Sequence, residues 1–539
     1  MKNWIYKSAF LSAFIFISYA ADAQGSGGSS MSVGIMVFLF ILLIGGVIFV
    51  ADNLLAIESK RLGVDDKGAN YGLFPGLREI FTPKVPEYAT GKSVSLTKGH
   101  DIRLLGKAEA TIDEDAKPTT FAVKPKDFVG MSPIPKIEVQ EGDEVKAGDI
   151  LFFDKKRPEI KYAAPVSGEV ARITRGEKRS INEVVILSDK KMKYRKFGKF
   201  DYENATREEI VDRLVESGLW PFLRQRPFNT VPEPSEVPRD IFISTFDSAP
   251  LAPDLNMVVE GREAAFQACL DLLNKLTTGK VHLGLDARGE EKPSPAFCEA
   301  KGVEGIWFKG PHPSGNVGVQ IHHIAPVNKG ETVWTLGVQE AITIGNFVLN
   351  NQYEAERVVV LTGNEVKSPR YFRTHLGANV DAFLKDNLKN DNVRVISGDV
   401  LSGKKIEVDG HLSFYDDQIT VVEEGDKHEM FGWLLPLSPR PSISGTFPKF
   451  KDFDYEVNTN THGEPRAFVV TGQYESVLPM DIYPQHLFKA ILVNDFERME
   501  GLGLYELARE DVALCEFACT SKQPLQDILD RGLEALRLG

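Results

Sequence analysis

The chain has 539 residues, 63 Lys and Arg against 76 Asp and Glu, a net charge of −13 and four cysteines. At about 150 residues per domain this is room for three or four domains, and 42% hydrophobic with 26% charged residues is globular composition, not disorder. The acidic balance excludes general nucleic-acid binding through a basic surface; so few cysteines exclude a disulfide framework and favour a reducing compartment.

Residues 1–23 read as a secretory signal: Lys2 and Lys7 precede the short apolar run Ala9–Tyr19, and Ala21-Asp22-Ala23 fits a small-x-small cleavage site. Residues 24–32, with Gly25–Ser30 (GSGGSS), form a flexible spacer. Val33–Ala51 then gives 19 residues without a charge, 14 of them Val, Ile, Leu or Phe. At ~1.5 Å per residue this nearly spans a ~30 Å hydrocarbon core, with an insertion gain of about 4–8 kcal/mol from those side chains. We expect a transmembrane helix over 33–51. Lys60, Arg61, Lys67 and Arg78 follow it and nothing basic lies between Ala23 and Ala51, so the positive-inside rule puts the C-terminal body in the cytoplasm, single-pass on the inner membrane. Translation from Met31 would remove the signal and leave this topology unchanged.

Residues 52–92 carry Gly63, Gly68, Gly72, Pro75, Pro83 and Pro86 with little periodicity and read as a linker. From Val94 to about Leu187, short β-type runs alternate with Gly-Asp and Pro-Lys turns, an all-β domain assigned to 93–195. An α/β domain is assigned to 196–365. Its strand candidates are Ile241–Phe246, Val281–Leu285, Gly305–Phe308, Val333–Leu336 and Val358–Thr362, with helices Arg262–Leu276 and Val338–Asn350 between them, the pattern of a helix-covered parallel sheet. Residues 366–450 return to short strands around one helix, Asn379–Asn387. Residues 451–539 form a helical C-terminal domain, periodic from Gln485 to Arg537.

In the β segment, Glu141-Gly142-Asp143-x-Val145-x-Ala147-Gly148-Asp149-x-Leu151 and Ala164-Pro165-Val166-Ser167-Gly168-Glu169-Val170 are similar to biotinyl/lipoyl-type barrel-sandwich domains. Asp154-Lys155 looks like the lipoyl Asp-Lys pair, but it follows the first Gly-Asp too soon and Lys156, Arg157 and Pro158 crowd it. A rigid fold with a charged hairpin is the better reading. In the α/β domain Ile241–Phe246 runs into Asp247-Ser248-Ala249-Pro250-Leu251-Ala252-Pro253-Asp254 with no glycine, so NAD or FMN bound in the usual way is not expected. Gly398–Lys405 matches a P-loop except at its last position, where Lys405 cannot give magnesium a hydroxyl, and Ile406-Glu407-Val408 reads as a strand, so the run is a basic β-turn. Cys515 and Cys519 share a helix face but lack the further thiolates of a [4Fe–4S] site; Cys269 sits in a helix and Cys298 in a loop. His322 and His323, read as strand neighbours, would point to opposite faces and cannot easily chelate one ion. No catalytic, cofactor-binding or metal-ligating residue is assigned. The loop Pro311–Gly318 at the sheet edge, with the turn after the first strand, is where such folds hold ligands, and the candidate ligand pocket is Phe246, Asp247, Pro311, His312 and Gly315.

From about Val94 onward the chain resembles the A-subunit family of sodium-translocating NADH:quinone reductases. The resemblance rests on Ser95–Asp101, Glu141–Leu151, Ala164–Val170, Phe242–Leu251, Gly310–Ile321, Arg373–Asp381, Tyr415-Asp416-Asp417-Gln418, Phe431-Gly432-Trp433 and Asp511–Cys519. That family is also similar to RnfC and to the NADH-binding flavoprotein subunit of complex I, whose glycine-rich flavin loop and cysteine-ligated clusters this sequence lacks. The resemblance implies a multidomain α/β chain: a barrel-sandwich domain, a degenerate Rossmann-like domain, a β-grasp domain of the soluble-ligand-binding (SLBB) type and a helical C-terminal domain. It also implies a cytoplasmic-face subunit of an oxidoreductase and translocase that couples NADH oxidation and reduction of a quinone such as ubiquinone to sodium export. The chain would support or contribute to the quinone site while binding no cofactor firmly. FAD, FMN and a [2Fe–2S] cluster are expected on partner subunits, and the chief partner is the quinone-interacting membrane subunit. The alternative is a cofactor-free scaffold of the same or an Rnf-like complex. The N-terminal extension over residues 1–92 departs from the family's usual start near Ser95.

Overall fold

The computed structural model describes residues 29–61, 85–427, 430–431, 439–443 and 453–538. It divides into two units, Met1–Thr82 and Pro83–Gly539. In the first, a helix runs over Ser29–Arg61. It takes up Ser29 and Ser30 of the expected spacer and continues ten residues past the expected end at Ala51, because Asp52–Arg61 has neither Gly nor Pro and is rich in the helix formers Leu, Ala, Glu, Lys and Arg. Side chains from Val37 to Val50, Phe40 and Leu43 among them, stand largely exposed. Among the described residues no helix is long and apolar enough to cross a membrane. The expected signal over 1–23 and the spacer as far as Gly28 lie outside the described residues.

The second unit is built on four sheets. The first has the strand order Ser93–Ser95, Glu304–Lys309, Val281–Asp286, Ile241–Ser244, Val333–Thr335, Arg224–Arg226, parallel except for the last pair. Its central strands read as apolar runs because both faces are covered: Val281 to Leu285 is buried at every position. The helices Glu263–Leu273 and Val338–Asn350 pack on each other so closely that a Cβ at Gly345 would lie 1.7 Å from the Ala265 carbonyl oxygen. Trp220 is fully buried, meets Trp334 edge-on at 5.3 Å and donates its indole N–H to the Pro232 carbonyl at 2.8 Å.

The second sheet is mixed, in the order Lys404–Ile406, Val393–Ser397, Gln418–Glu423, Glu356–Thr362, Arg370–His375, Ile112–Asp113. The sequence pattern places Glu356–Thr362 with the α/β strands. It joins this sheet instead, because a strand apolar on both faces suits either sheet and Gln418–Glu423 and Arg370–His375 supply its partners. Ser93–Ser95, expected with the all-β domain, pairs with Glu304–Lys309. The helix expected over Asn379–Asn387 shortens to Asp381–Leu384, because the Asn379 side chain accepts from the Asp381 N–H and Lys385 turns to extended backbone.

A four-stranded sheet (Thr120–Val123, Ile181–Ser188, Gly168–Arg175, Glu144–Val145) and a three-stranded one (Lys136–Ile137, Ile150–Asp154, Arg157–Ala163) make the sandwich. Its two Gly-Asp turns are built alike: Gly142 and Gly148 both have φ of +91°, and Asp143 and Asp149 each accept from the backbone N–H three residues earlier. A contact between the buried His411 Nδ1 and Glu183 Oε2 at 3.3 Å ties the sandwich to the second sheet's loops. Helices Gln473–Val477, Pro484–Leu492, Phe496–Gly501, Arg509–Ala518 and Leu525–Leu538 complete the unit around a second apolar cluster.

Candidate functional site

Parallel α/β sheets leave a crevice beyond the carboxyl ends of their strands, and here a cavity of about 940 Å³ lies in that place. Its walls come from the segments following Ile241–Ser244, Glu304–Lys309 and Val333–Thr335. Further walls are turns of the second sheet, the Lys126–Pro133 stretch of the sandwich and the C-terminal helices.

Four of the five expected pocket residues line it. The Phe246 ring lies under the Arg288 guanidinium at 4.7 Å, and Arg288 is itself paired with Asp286 at 2.9 Å. The Asp247 carboxylate is open to the cavity but surrounded by protein. Though it is exposed into the cavity, the desolvation by the protein around it, with Asp399 nearby, raises its pKa against the opposing Ala249 N–H and Arg288. Ser248 organises the rest: its hydroxyl accepts from the Gly315 N–H at 2.8 Å and meets His312 Nδ1 at 3.0 Å. A Cβ at Gly315 would lie 2.6 Å from the Ser248 nitrogen, so only glycine allows this approach. His312 is 3% exposed, its backbone N–H donates to the Asp101 carboxylate at 2.8 Å, and burial pulls its imidazole down to about 4. It is therefore neutral at pH 7. Pro311 is not in the cavity wall; it lies behind the loop, by Gly99.

Charged groups outside the expected pocket gather here as well, Asp417 among them, which the sequence shows only within the string Tyr415-Asp416-Asp417-Gln418. Glu340, in the first turn of Val338–Asn350, meets the buried Arg357 at 2.9 Å, and Asp417 lies 3.9 Å from the Arg357 Nε. Tyr415 donates to the Pro221 carbonyl and carries the Arg224 guanidinium 4.8 Å over its ring. Arg226 from the edge strand pairs with Glu510, which lines the cavity, at 2.5 Å and with Asp511 at 3.4 Å. Arg357, second in a strand that is apolar from Val358 to Leu361, is the signal available in the sequence, since a charge so placed requires a partner. Nine acidic side chains against six Lys and Arg line the cavity, which disfavours a polyphosphate occupant.

The remaining sequence candidates have local roles. Asp154 turns inward and caps its hairpin by accepting from the Lys156 N–H, while Lys155 is exposed at the tip. In the P-loop-like run, Asp399 accepts from the backbone of Leu401 and Ser402, and Lys404–Ile406 pairs back on Val393–Ser397 as a hairpin. His322 and His323 are helical, within Val317–Ile324, and not on a strand: Gln320, which alternation would place in solvent, is buried and donates to the Ser244 hydroxyl. The two imidazoles fasten that helix to the C-terminal segment, His322 through Glu506 at 2.7 Å and His323 through the Pro479 carbonyl. Cys298 ends the short helix Pro295–Cys298, where a loop was expected. Cys519 meets the Tyr474 hydroxyl at 2.9 Å and Cys515 is buried. Among the described residues no group of three or more His, Cys, Asp or Glu is placed to hold a metal ion.

Three domain families match the chain: the NqrA N-terminal barrel-sandwich hybrid domain over residues 94–189, the NqrA second alpha/beta domain over 205–353, and the NQRA C-terminal domain, an SLBB domain, over 358–408. Among curated proteins, the chain is 37% identical over 450 residues to the Na(+)-translocating NADH-quinone reductase A-subunit of Neisseria meningitidis, covering 82% of this chain and 99% of that one. It is 37% identical over 451 residues to the corresponding protein of Alcanivorax borkumensis, with 82% and 99% covered, and 38% over 445 residues to that of Serratia proteamaculans, with 81% and 97% covered.

Proposed function

The chain belongs to the NqrA family of Na(+)-translocating NADH-quinone reductase subunits, and from that premise we propose that it is the cytoplasmic-face subunit of such a complex and forms part of its quinone site. The observation that carries this reading is the cavity beyond the parallel strands. A quinone headgroup is a flat, uncharged ring with two carbonyl acceptors; it needs apolar walls, a few donors and no phosphate cradle. Phe246, Leu336, Val338 and Leu401 offer the apolar contact, and the acidic excess repels phosphate, not a neutral ring. In this reading Phe246, Asp247, His312 and Gly315 face the ligand, with Pro311 holding the loop from behind. NADH is oxidised on partner subunits that carry the flavins and the cluster, and sodium crosses in the membrane subunits.

The same proposal includes the tether. It rests on the sequence alone: the uncharged run Val33–Ala51, followed by Lys60 and Arg61, reads as a single span with the body in the cytoplasm. Without an ionisable side chain in that run, it is an anchor and not a pump element. Exchange for an unrelated apolar helix then leaves sodium transport intact; lost transport in an assembled complex refutes the anchor.

A scaffold without a ligand is the second reading, favoured by the glycine-free turn Asp247–Asp254. Photoaffinity labelling of the assembled complex with an azido-quinone separates the two. Adducts on peptides containing Phe246 and Asp247, or His312 and Gly315, support the site; label confined to partner subunits leaves the scaffold.

A further inference from the structure

Beside the cavity, more carboxylate gathers around Arg357 than its one guanidinium neutralises. Arg357 is 2% exposed, and its guanidinium lies between the Glu340 carboxylate at 2.9 Å and Asp417 at 3.9 Å; Asp416 is adjacent in the chain. Arg262 also faces the group, from the start of the Glu263–Leu273 helix, but its nearer carboxylate is Glu356 at 3.5 Å. Asp416 is engaged by the Ser397 hydroxyl at 2.6 Å. Glu340 has the closer contact with Arg357 and sits in the first turn of a thirteen-residue helix, whose N-terminal dipole favours a negative charge. Asp417 has the longer contact and opens to the cavity.

Resting on the quinone reading above, we propose that Asp417, held with Glu340 around Arg357, is the proton donor to the quinone reduced in this cavity. Two carboxylates held against one buried guanidinium, Glu340 buried and Asp417 half-buried, do not both stay charged at low cost, so one keeps a proton. Burial, together with Glu340 and Asp416, lifts Asp417 to about 7 against the pull of Arg357, the range that suits a general acid at neutral pH.

Reduction of a quinone to a quinol takes two electrons and two protons. The electrons come from NADH through the partner subunits. The O–H bond of Asp417 breaks as one forms on a quinone carbonyl oxygen, leaving Asp417 as the carboxylate. Water entering the cavity restores the acid, and the second proton follows the same route. Asp247 and His312, from the loops after the parallel strands, orient the ring; His312 is neutral in this range.

The test is Asp417→Asn in the intact complex, with kcat and KM for a soluble quinone measured between about pH 6 and 9. The variant keeps the shape and loses the proton. Quinone reduction is expected to fall about tenfold or more, its pH dependence near neutrality to disappear, KM to stay within about twofold, and Asp417→Glu to restore part of the rate and the pH dependence. Wild-type kcat and pH profile in Asp417→Asn, in a complex whose azido-quinone label lies on this chain, overturn the proton assignment and leave the quinone site standing. Label absent from the wild-type chain overturns both. If the variant fails to assemble, the wild-type complex decides: infrared difference spectra on quinone reduction, with ¹³C-aspartate, must show a protonated aspartate carboxyl being lost, and its absence refutes the proposal.

Discussion

Replacing Arg226 by Met removes the cation that Glu510 and Asp511 share where the edge strand Arg224–Arg226 meets the helix Arg509–Ala518. Glu510 is 29% exposed and can turn to water, but the Asp511 side chain is fully buried. Asp511 would keep the Ala508 N–H at 2.9 Å and the Asn316 side chain at 3.5 Å. Stripping one partner from a buried pair costs about 3–5 kcal/mol, and these two remaining donors place the loss near the lower end, about 3 kcal/mol. The loss is pH-dependent. With Arg226 present, burial already raises Asp511 to about 6, above the ~3.9 of an unfolded aspartate. The folded state therefore binds an extra proton between those values, and stability falls as pH rises through that window, then levels off. Without Arg226 the folded pKa rises further, the window extends through neutrality, and stability keeps falling by up to about 1.4 kcal/mol per pH unit. Arg226→Met should thus lie near the wild type at about pH 5 and about 3 kcal/mol below it at about pH 8. Hydrogen exchange of peptides from Arg509–Ala518, corrected for intrinsic rates, reads this directly. A deficit that is equal at both pH values, larger in acid, or below about 1 kcal/mol throughout refutes the reasoning.

Gly345→Ala must push the helices Glu263–Leu273 and Val338–Asn350 apart, since the new Cβ meets the Ala265 carbonyl. A loss of about 1–3 kcal/mol is expected in denaturant unfolding, and an unchanged midpoint would contradict the close approach. Trp220→Ala opens a large cavity and leaves the Pro232 carbonyl without its donor, with a cost of about 3–5 kcal/mol read from protease resistance of the surrounding α/β region; wild-type resistance rules out its role in the core. Glu183 is held at about 2, first by its hydrogen bond from His411, so that pair contributes stability above the usual glutamate range which is lost as pH falls toward 2. His411→Ala should weaken the protein at neutral pH and flatten its acid-unfolding profile over that window; an unaltered profile would show that the pair contributes nothing.

The helix Val338–Asn350 is legible to its last residue, because its apolar stripe has helical spacing and Gly337 precedes it at the cap. The central strand Val281–Asp286 is legible for the opposite reason, an apolar run too short for a helix. Which sheet a doubly buried strand joins is a matter of partners distant in sequence, and Glu356–Thr362 goes to the second sheet through contacts that no local pattern encodes. The stretch Val317–Ile324 misleads because Val317, Val319 and Ile321 alternate as a strand would; Gln320 is buried by tertiary hydrogen bonds that override the alternation. At the cavity, Phe246, Asp247, His312 and Gly315 can be found because loops following parallel strands have a fixed place in such folds. Asp417 is visible only within the string Tyr415-Asp416-Asp417-Gln418, with no role to read there, since its setting comes from Glu340 and Arg357, which lie far from it in the chain and meet it only once the fold is assembled.

The strands Ser93–Ser95 and Ile112–Asp113 also set an order of events during synthesis. The first pairs with Trp307–Lys309 and the second with Tyr371 and Phe372, segments more than two hundred residues later in the chain. The N-terminal thread of the body therefore leaves the ribosome long before its partners exist, and contacts of such separation are slow to close. The sandwich, whose strands are near neighbours in sequence, can collapse in the meantime, but both edge positions must stay vacant until the later segments arrive. The body therefore draws its first strands in late, and a chain that stalls before Phe372 is synthesised leaves Ile112–Asp113 without the partner it pairs with.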